Sequence, residues 1–261
     1  MKILVIGDIV GSPGRAAVKA LVPKLIAERG IAFVVANGEN IAAGSGLTPD
    51  TVKELFAAGV DCITTGDHIF KRKEILPLLA TDARILRPAN YPEAAAGKGF
   101  TVLPARDGVR VGVVNLLGRV FMKPIDDLFA AVESALTKLA GEADVVVVDV
   151  HAEATSEKIA MGWHLDGRVA AVFGTHTHVQ TADERVLPNG CAYISDLGMT
   201  GPHDSVLGRD KTRVLHALIT GMPAHFDVAS GDIRLNGALL TVDPSTHKAT
   251  AIERVSLAMA P

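Results

Sequence analysis

Aspartate, glutamate, asparagine and histidine recur in this chain at one kind of place, directly after a short apolar run. Asp8 follows residues 2–6, Glu39 and Asn40 follow 31–36, Asp67 and His68 follow 61–65, His151 follows 145–150, and His176 and His178 follow 169–173. Imidazole mixed with carboxylate and amide oxygen suits manganese, iron or zinc better than an all-oxygen calcium or magnesium site. The set is too large for one such ion and about right for two. Each position alone has a plainer reading. Asp8 reads as a turn residue, Glu39 and Asn40 as solvated loop groups, and His151 as a structural imidazole. His176 and His178 say more, because residues two apart in an extended segment point the same way and can face one ion. Recurrence at independent strand ends carries the expectation. Of the other histidines, His164, His216, His225 and His247 fall away from strand ends, where structural or surface roles are expected, and His203 is undecided.

For these side chains to meet, the apolar runs must be strands of an open α/β sheet, whose carboxyl ends form a ligand crevice. The segments between them support this. Residues 13–28 carry apolar side chains at helical spacing with Gly30 placed to stop the helix. Thr48 reads as an N-cap with Pro49 at the first helical position, and Gly59 closes that helix. Residues 109–117 read as a strand and 124–139 as a helix. After residue 185 turn signals separate alternating runs such as 233–242 and 249–257. The expectation is one α/β domain over residues 1–261, with antiparallel strands from the C-terminal third forming a second layer.

Composition narrows the function classes. The chain has 261 residues, 48% hydrophobic and 21% charged, enough to bury a core without disulfide or metal staples. With 26 basic against 29 acidic residues, no overall positive field supports binding along duplex nucleic acid. Cys62 and Cys191 form no C-x-x-C pair and read as buried thiols of a reducing compartment. Asp8 interrupts the N-terminal apolar run before it reaches the length of a signal segment, and no run is long enough to span a membrane. A cytoplasmic protein is expected, without membrane partners.

Competing motifs do poorly. Gly44-Ser45-Gly46 begins a G-x-G, but Pro49 takes the third glycine position of the dinucleotide fingerprint. Residues 7–14 (GDIVGSPG) resemble a phosphate-cradling turn but lack the G-K-[ST] ending, and no G-x-S-x-G nucleophile elbow is present. Asp149 shares a strand face with His151, so it reads either as an orienting partner or as a plain strand residue. Arg119 in NLLGR reads as a phosphate contact or as half of a buried salt bridge.

The blocks GDIVG, NGENIAAGSGLT, TTGDHIF, VDVHAEATSEK and GTHTHVQT occur in that order. They resemble the successive strand-end blocks of calcineurin-like metallophosphoesterases. Val10 stands where the broad superfamily has the histidine of D-x-H. The GEN block, NLLGRVFM at 115–122 and DLGMTGPHDSVLG at 196–208 are similar to the YmdB-type family specifically, over nearly the whole chain. The resemblance implies a four-layered α/β/β/α sandwich and a dinuclear centre, with phosphodiesterase activity favouring 2′,3′-cyclic nucleotides. By position, it implies that Asp8, Glu39, Asn40, Asp67, His151, His176 and His178 are metal ligands, with Glu39 bridging. His68 matches the catalytic histidine, a general acid beside the phosphate. Two divalent or trivalent transition-metal ions are implied, iron or manganese first, then zinc or magnesium. The implied partners are a small phosphodiester substrate and further copies of the chain in a dimer or tetramer. Asp67 departs from the usual asparagine of G-N-H and adds a negative charge beside the metals. That departure keeps a second function class in view, a regulatory nucleotide- or partner-binding protein with a metal site of low turnover. Phe70, Tyr91 and Phe121 are the aromatic candidates for framing a base.

Overall fold

Alternate residues of the apolar runs face opposite ways, and the fold buries both sides. The computed structural model describes residues 1–260. The first part of the chain forms β1 (Lys2–Ile6), β2 (Asp8–Ile9), α1 (Gly11–Arg29), β3 (Phe33–Asn37), α2 (Pro49–Ala57), β4 (Cys62–Thr64) and the short α3 (Leu76–Thr81). The middle forms β5 (Phe100–Pro104), β6 (Arg110–Leu117), α4 (Leu128–Leu139), β7 (Val145–His151), α5 (Thr155–Leu165) and β8 (Ala171–Thr175). Then come β9 (Arg185–Val186), β10 (Ala192–Ile194), β11 (Met199–Pro202), α6 (Lys211–Thr220), β12 (Ile233–Val242) and β13 (Ala249–Ala258).

One sheet runs β2-β11-β12-β1-β3-β4 with β13 paired to β12, and the other runs β5-β6-β7-β8-β10-β9. In β1, Leu4 and Ile6 pack under α1 and α2, while Ile3 and Val5 face the second sheet. Val34 and Ala36 of β3 divide from Phe33 and Val35 in the same way. In the second sheet Val111, Val113, Val145, Val147 and Phe173 turn inward, and Val114, Leu116, Val148, Val150 and Val172 turn towards α4 and α5. Burial on both faces explains why these runs are near-continuously apolar. The layers are therefore helix, sheet, sheet, helix, a four-layered α/β/β/α sandwich.

Local signals hold at the helix ends. Gly30 caps α1 in the left-handed conformation, and the Thr48 side chain accepts from Thr51 N at the start of α2. The helix expected over 124–139 begins only at Leu128. The Asp127 carboxylate accepts from Phe129 N and Ala130 N and so fixes the start there.

The expected source of the second layer is corrected. That layer comes mainly from the middle of the chain, with β9 and β10 continuing it, while β12 enters the first sheet antiparallel to β1. The alternation of β12 serves two cores. Leu235 and Leu239 join the cluster under α1, while Ala238 and Leu240 join the one between the sheets. Alternation says that a strand has two faces, not which sheet receives it. Among the described residues no helix is long and apolar enough to cross a membrane.

Candidate active site

Asp8, Glu39, Asn40, Asp67, His68, His151, His176 and His178 are brought together where strands of both sheets end. β1, β3 and β4 deliver the first five residues just past their carboxyl ends. β7 ends on His151, and β8 ends one residue before His176. Glu39, Asp67, His151 and His176 offer ligand atoms all within 4.8 Å of one another. In that group His151 Nε2 lies 3.3 Å from Glu39 Oε1, 3.7 Å from Asp67 Oδ1 and 3.0 Å from His176 Nδ1. A second group adjoins it. His178 Nε2 lies 3.8 Å from Asp8 Oδ1 and 3.5 Å from Asn40 Nδ2, which in turn donates to Glu39 Oε1 at 3.2 Å. Glu39 touches both groups.

The expectation that His176 and His178 face one ion is corrected. Both have left-handed backbones, with φ of 100° and 64°, so the extended alternation stops at Thr175. His176 turns to His151 and Asp67, and His178 turns to Asp8 and Asn40. Such conformations cost roughly 1–3 kcal/mol each and persist where surrounding contacts hold them.

Those contacts are visible. Asp196, 1% exposed, accepts from Lys158 Nζ at 2.7 Å and from Gly198 N at 2.8 Å. It also accepts from Thr177 N at 3.1 Å and Thr177 Oγ1 at 2.7 Å, gripping the residue between the two histidines. His178 Nδ1 donates to the Leu207 carbonyl at 3.1 Å, which turns its Nε2 to the site. At His151, Nδ1 donates to Thr175 Oγ1 at 2.9 Å, and that hydroxyl donates to Asp149 Oδ1 at 2.7 Å. The chain assigns the Nε2 lone pair of His151 to the site, the usual arrangement behind a metal-binding imidazole. Asp149 also accepts from Thr64 Oγ1 and from Asn37 Nδ2, so it is an orienting partner and not a plain strand residue. Gly66 has its own reason. A Cβ there would stand 2.1 Å from His151 Cδ2 and 2.5 Å from Glu39 Oε2, inside two site side chains.

Asp8 and Glu39 are fully buried, Asp67 is largely so, and no lysine or arginine among the described residues pairs with these three carboxylates. Burial pushes the Asp8 carboxyl up, though His178 and His151 pull it down. Burial opposes ionisation of Glu39 too, but His151 outweighs it and holds the carboxyl at about 2. Burial likewise resists ionisation of Asp67, and the adjoining imidazoles of His151, His68 and His176 hold it below the usual range. Conversely, burial disfavours a charged His151, yet Glu39, Asp67 and Asp8 raise it well above an ordinary histidine. His176 is lowered by burial and by His151, against the pull of Asp8, Glu39 and Asp67. Asp8 Oδ1 and Asp67 Oδ1 are buried acceptors with no partner. Buried acceptors are normally satisfied, so two orphaned carboxylate oxygens set among imidazole nitrogens fit resident cations.

A model of the YmdB-like protein family matches residues 4–255. The chain belongs to the YmdB-like family. It is 47% identical over 255 residues to a 2′,3′-cyclic-nucleotide 2′-phosphodiesterase of Bacillus subtilis (strain 168), covering 98% of this chain and 96% of that one. A crystal structure of a protein from Thermus thermophilus superposes with a TM-score of 0.93 at 40% identity, covering all of both chains. A phosphatase from Mycoplasma pneumoniae superposes with a TM-score of 0.92 at 33% identity, over 99% of this chain and 93% of that one.

Within this YmdB-like site, sequence reasoning misses the supports. Lys158, Asp196, Thr175 and Asn37 fall inside the blocks that carry the resemblance, but nothing in those blocks says that they pair with one another or with the site histidines. A lysine inside an otherwise amphipathic helix is no signal until its complete burial is known. Arg119 does not form the buried salt bridge expected as one of its two readings. It makes a half-exposed ion pair with Asp127 at 2.8 Å. Phe70 and Tyr91 pack edge to face at 5.5 Å, while Phe121 is 90% exposed. Cys62 and Cys191 are free and buried.

Proposed function

We propose that this YmdB-like protein is a metal-dependent phosphodiesterase acting on 2′,3′-cyclic nucleotides with a dinuclear centre. The carrying observation is the pair of orphaned carboxylate oxygens on Asp8 and Asp67, set among imidazoles in a family that includes a 2′,3′-cyclic-nucleotide phosphodiesterase. Glu39, Asp67, His151 and His176 would hold one ion, and Asp8, Glu39 and His178 the other, with Asn40 bridging from that second group to His68 and with iron or manganese preferred. When bound, the ions supply positive charge for the phosphate oxygens and Lewis acidity that makes water nucleophilic near neutral pH.

The chain's own residues supply orientation and the proton. His68 Nδ1 donates to Asn40 Oδ1 at 2.7 Å, and His68 N donates to Glu39 Oε2 at 3.1 Å, fixing the ring at the rim of the site. Its Nε2, 3.8 Å from Asp67 Oδ2, is the atom that would give a proton to the departing ribose oxygen. Water forms the new P–O bond, the ribose P–O bond breaks, and His68 delivers a proton to the oxygen that leaves. The test is hydrolysis of a nucleoside 2′,3′-cyclic phosphate with manganese or iron added, set against His68→Ala. The variant should lose about 100-fold or more on the ribose ester and far less on an activated nitrophenyl ester. Equal losses on both would remove His68 as the acid. Two metal ions per chain by elemental analysis accompany this reading.

Asp67 favours the second reading, a nucleotide- or partner-binding protein of low turnover, because its carboxylate reduces the centre's attraction for phosphate. Binding of the cyclic nucleotide without hydrolysis at full metal occupancy would select it.

A further inference from the structure

Beside the site lies a cavity of about 740 Å³ lined by Ser12, Ser45, Arg72, Arg209 and the segment from His225 to Val228. Ser12, Ser45 and Arg72 continue segments that carry a site residue, and Arg209 continues one that contacts His178. Ser12 follows Asp8 at the start of α1, and Gly11 N donates to Asn40 O at 2.9 Å. Ser45 sits in the loop after Glu39 and Asn40, which Gly46 N closes onto Glu39 O at 2.6 Å. Arg72 lies one helical turn's length beyond His68, and Arg209 lies just beyond Leu207, whose carbonyl orients His178.

The charges here are unbalanced. Arg72 makes one long hydrogen bond, Nε to Ser45 O at 3.4 Å, which leaves both of its terminal nitrogens uncommitted. Arg209 donates to the neutral carbonyls of Ala43, Gly44 and Phe226, and Asp227 acts on its charge only from beyond salt-bridge distance. Among the described residues neither arginine has a carboxylate in salt-bridge contact. The one carboxylate lining the cavity, Asp227, is occupied by Arg213 at 3.1 Å and His225 at 3.3 Å. In a chain of net charge −3, this cavity gathers two guanidiniums that have no carboxylate in salt-bridge contact. Guanidinium with serine hydroxyls is donor chemistry for phosphate.

We propose that this cavity is a second phosphate subsite, which selects substrates carrying a phosphoryl group on the far side of the ribose from the cyclic phosphate. The inference rests on the phosphodiesterase reading and deepens it by naming the substrate class. The preferred substrates are 5′-phosphorylated nucleoside 2′,3′-cyclic phosphates or the cyclic ends of short RNA fragments, whose last internucleotide phosphate occupies the same position. A reaction that cleaves RNA to leave 2′,3′-cyclic ends would supply them.

The test compares kcat/KM for uridine 2′,3′-cyclic phosphate, its 5′-phosphorylated form and a dinucleotide ending in a 2′,3′-cyclic phosphate, on the metal-loaded protein and on Arg72→Gln. The wild type should favour the phosphorylated substrates by about tenfold through KM, a preference weakened by salt. Arg72→Gln should bring the ratio close to one, and Arg72→Lys should restore part of it. Preference for the 5′-monophosphate and the dinucleotide together marks the phosphoryl group itself. Preference for the dinucleotide alone marks the RNA end. No preference in the wild type, or one that survives Arg72→Gln, overturns the subsite. If no cyclic phosphate is hydrolysed at all, the phosphodiesterase reading fails, and calorimetry with uridine 5′-monophosphate decides the subsite separately. Binding weakened about tenfold by Arg72→Gln supports it, and unaltered or absent binding removes it.

Discussion

Lys158 is the residue whose removal most directly probes how the site is held. Its ammonium is fully buried in α5, and its one hydrogen-bonding partner is Asp196 Oδ2 at 2.7 Å. Replacing it by methionine keeps much of the side-chain volume and deletes the charge. Asp196 would retain neutral donors from Thr177 and Gly198, but its carboxylate would remain buried without a counter-charge. Breaking a buried pair in this way costs about 3–5 kcal/mol. For a chain of this size that is a fall in Tm of roughly 6–20 °C. Asp196→Asn should cost at least as much, since it strands the ammonium and disturbs the grip on Thr177. The double variant Lys158→Met with Asp196→Asn should cost clearly less than the sum of the two, because no lone charge remains. Denaturant unfolding of the four proteins measures this cycle. Metal content by elemental analysis reads the functional consequence, since Thr177 sits between His176 and His178. A loss below about 1 kcal/mol for Lys158→Met, or strictly additive single variants, would refute the argument that this ion pair is what holds the strained histidine loop.

Three further outcomes follow from the same geometry. Gly66→Ala places a methyl group inside His151 and Glu39, and should cut activity at least about 100-fold with circular dichroism unchanged. Wild-type metal content and turnover would show that the backbone yields there. Asp67→Asn removes one negative charge from the centre and should tighten competitive inhibition by inorganic phosphate, by about 1–3 kcal/mol at several ångström separation. An unchanged inhibition constant, metal content and pH profile would cancel the charge argument. Burial pushes Asp149 up to about 6 from 3.8, against the pull of His151, Thr64 and Thr175. A carboxyl raised by folding stabilises fully below its unfolded value and loses that contribution as pH climbs through about 6. In metal-free protein the stability of wild type relative to Asp149→Asn should therefore fall by about 3 kcal/mol between roughly pH 4 and pH 7. Parallel curves for the two proteins would contradict it.

The legible part of this protein was the part written locally. Apolar runs ending in Asp8, Glu39, Asp67, His151 and His176 mark strand ends because a parallel strand buried on both faces leaves polar groups only where it stops. Cap residues such as Thr48 and Gly30 act on their own helices and are read from a few neighbours. What escaped was set by partners distant in the chain. The place of β12 beside β1 depends on which sheet has an open edge, and its alternation is the same in either sheet. The separate directions of His176 and His178 depend on backbone angles imposed by Asp196, twenty or so residues on, and Lys158, a similar distance before. Asp149 was visible as a face-sharing neighbour of His151, but its role required Thr175 from β8 and Thr64 from β4.

Charge shows the same division between count and placement. A net charge of −3 argues against a surface that tracks duplex nucleic acid, yet it hides two opposite local fields. At the strand ends, Asp8, Glu39 and Asp67 gather carboxylates with no lysine or arginine partner, and the orphaned oxygens of Asp8 and Asp67 mark where cations would fit. Next to them, Arg72 and Arg209 stand without carboxylate partners along a cavity. An anionic substrate that reached this face would meet positive charge at two places, one supplied by ions and one by the chain. The spacing between those places, and not the overall charge, is what would distinguish a bare cyclic nucleotide from one that carries a second phosphate.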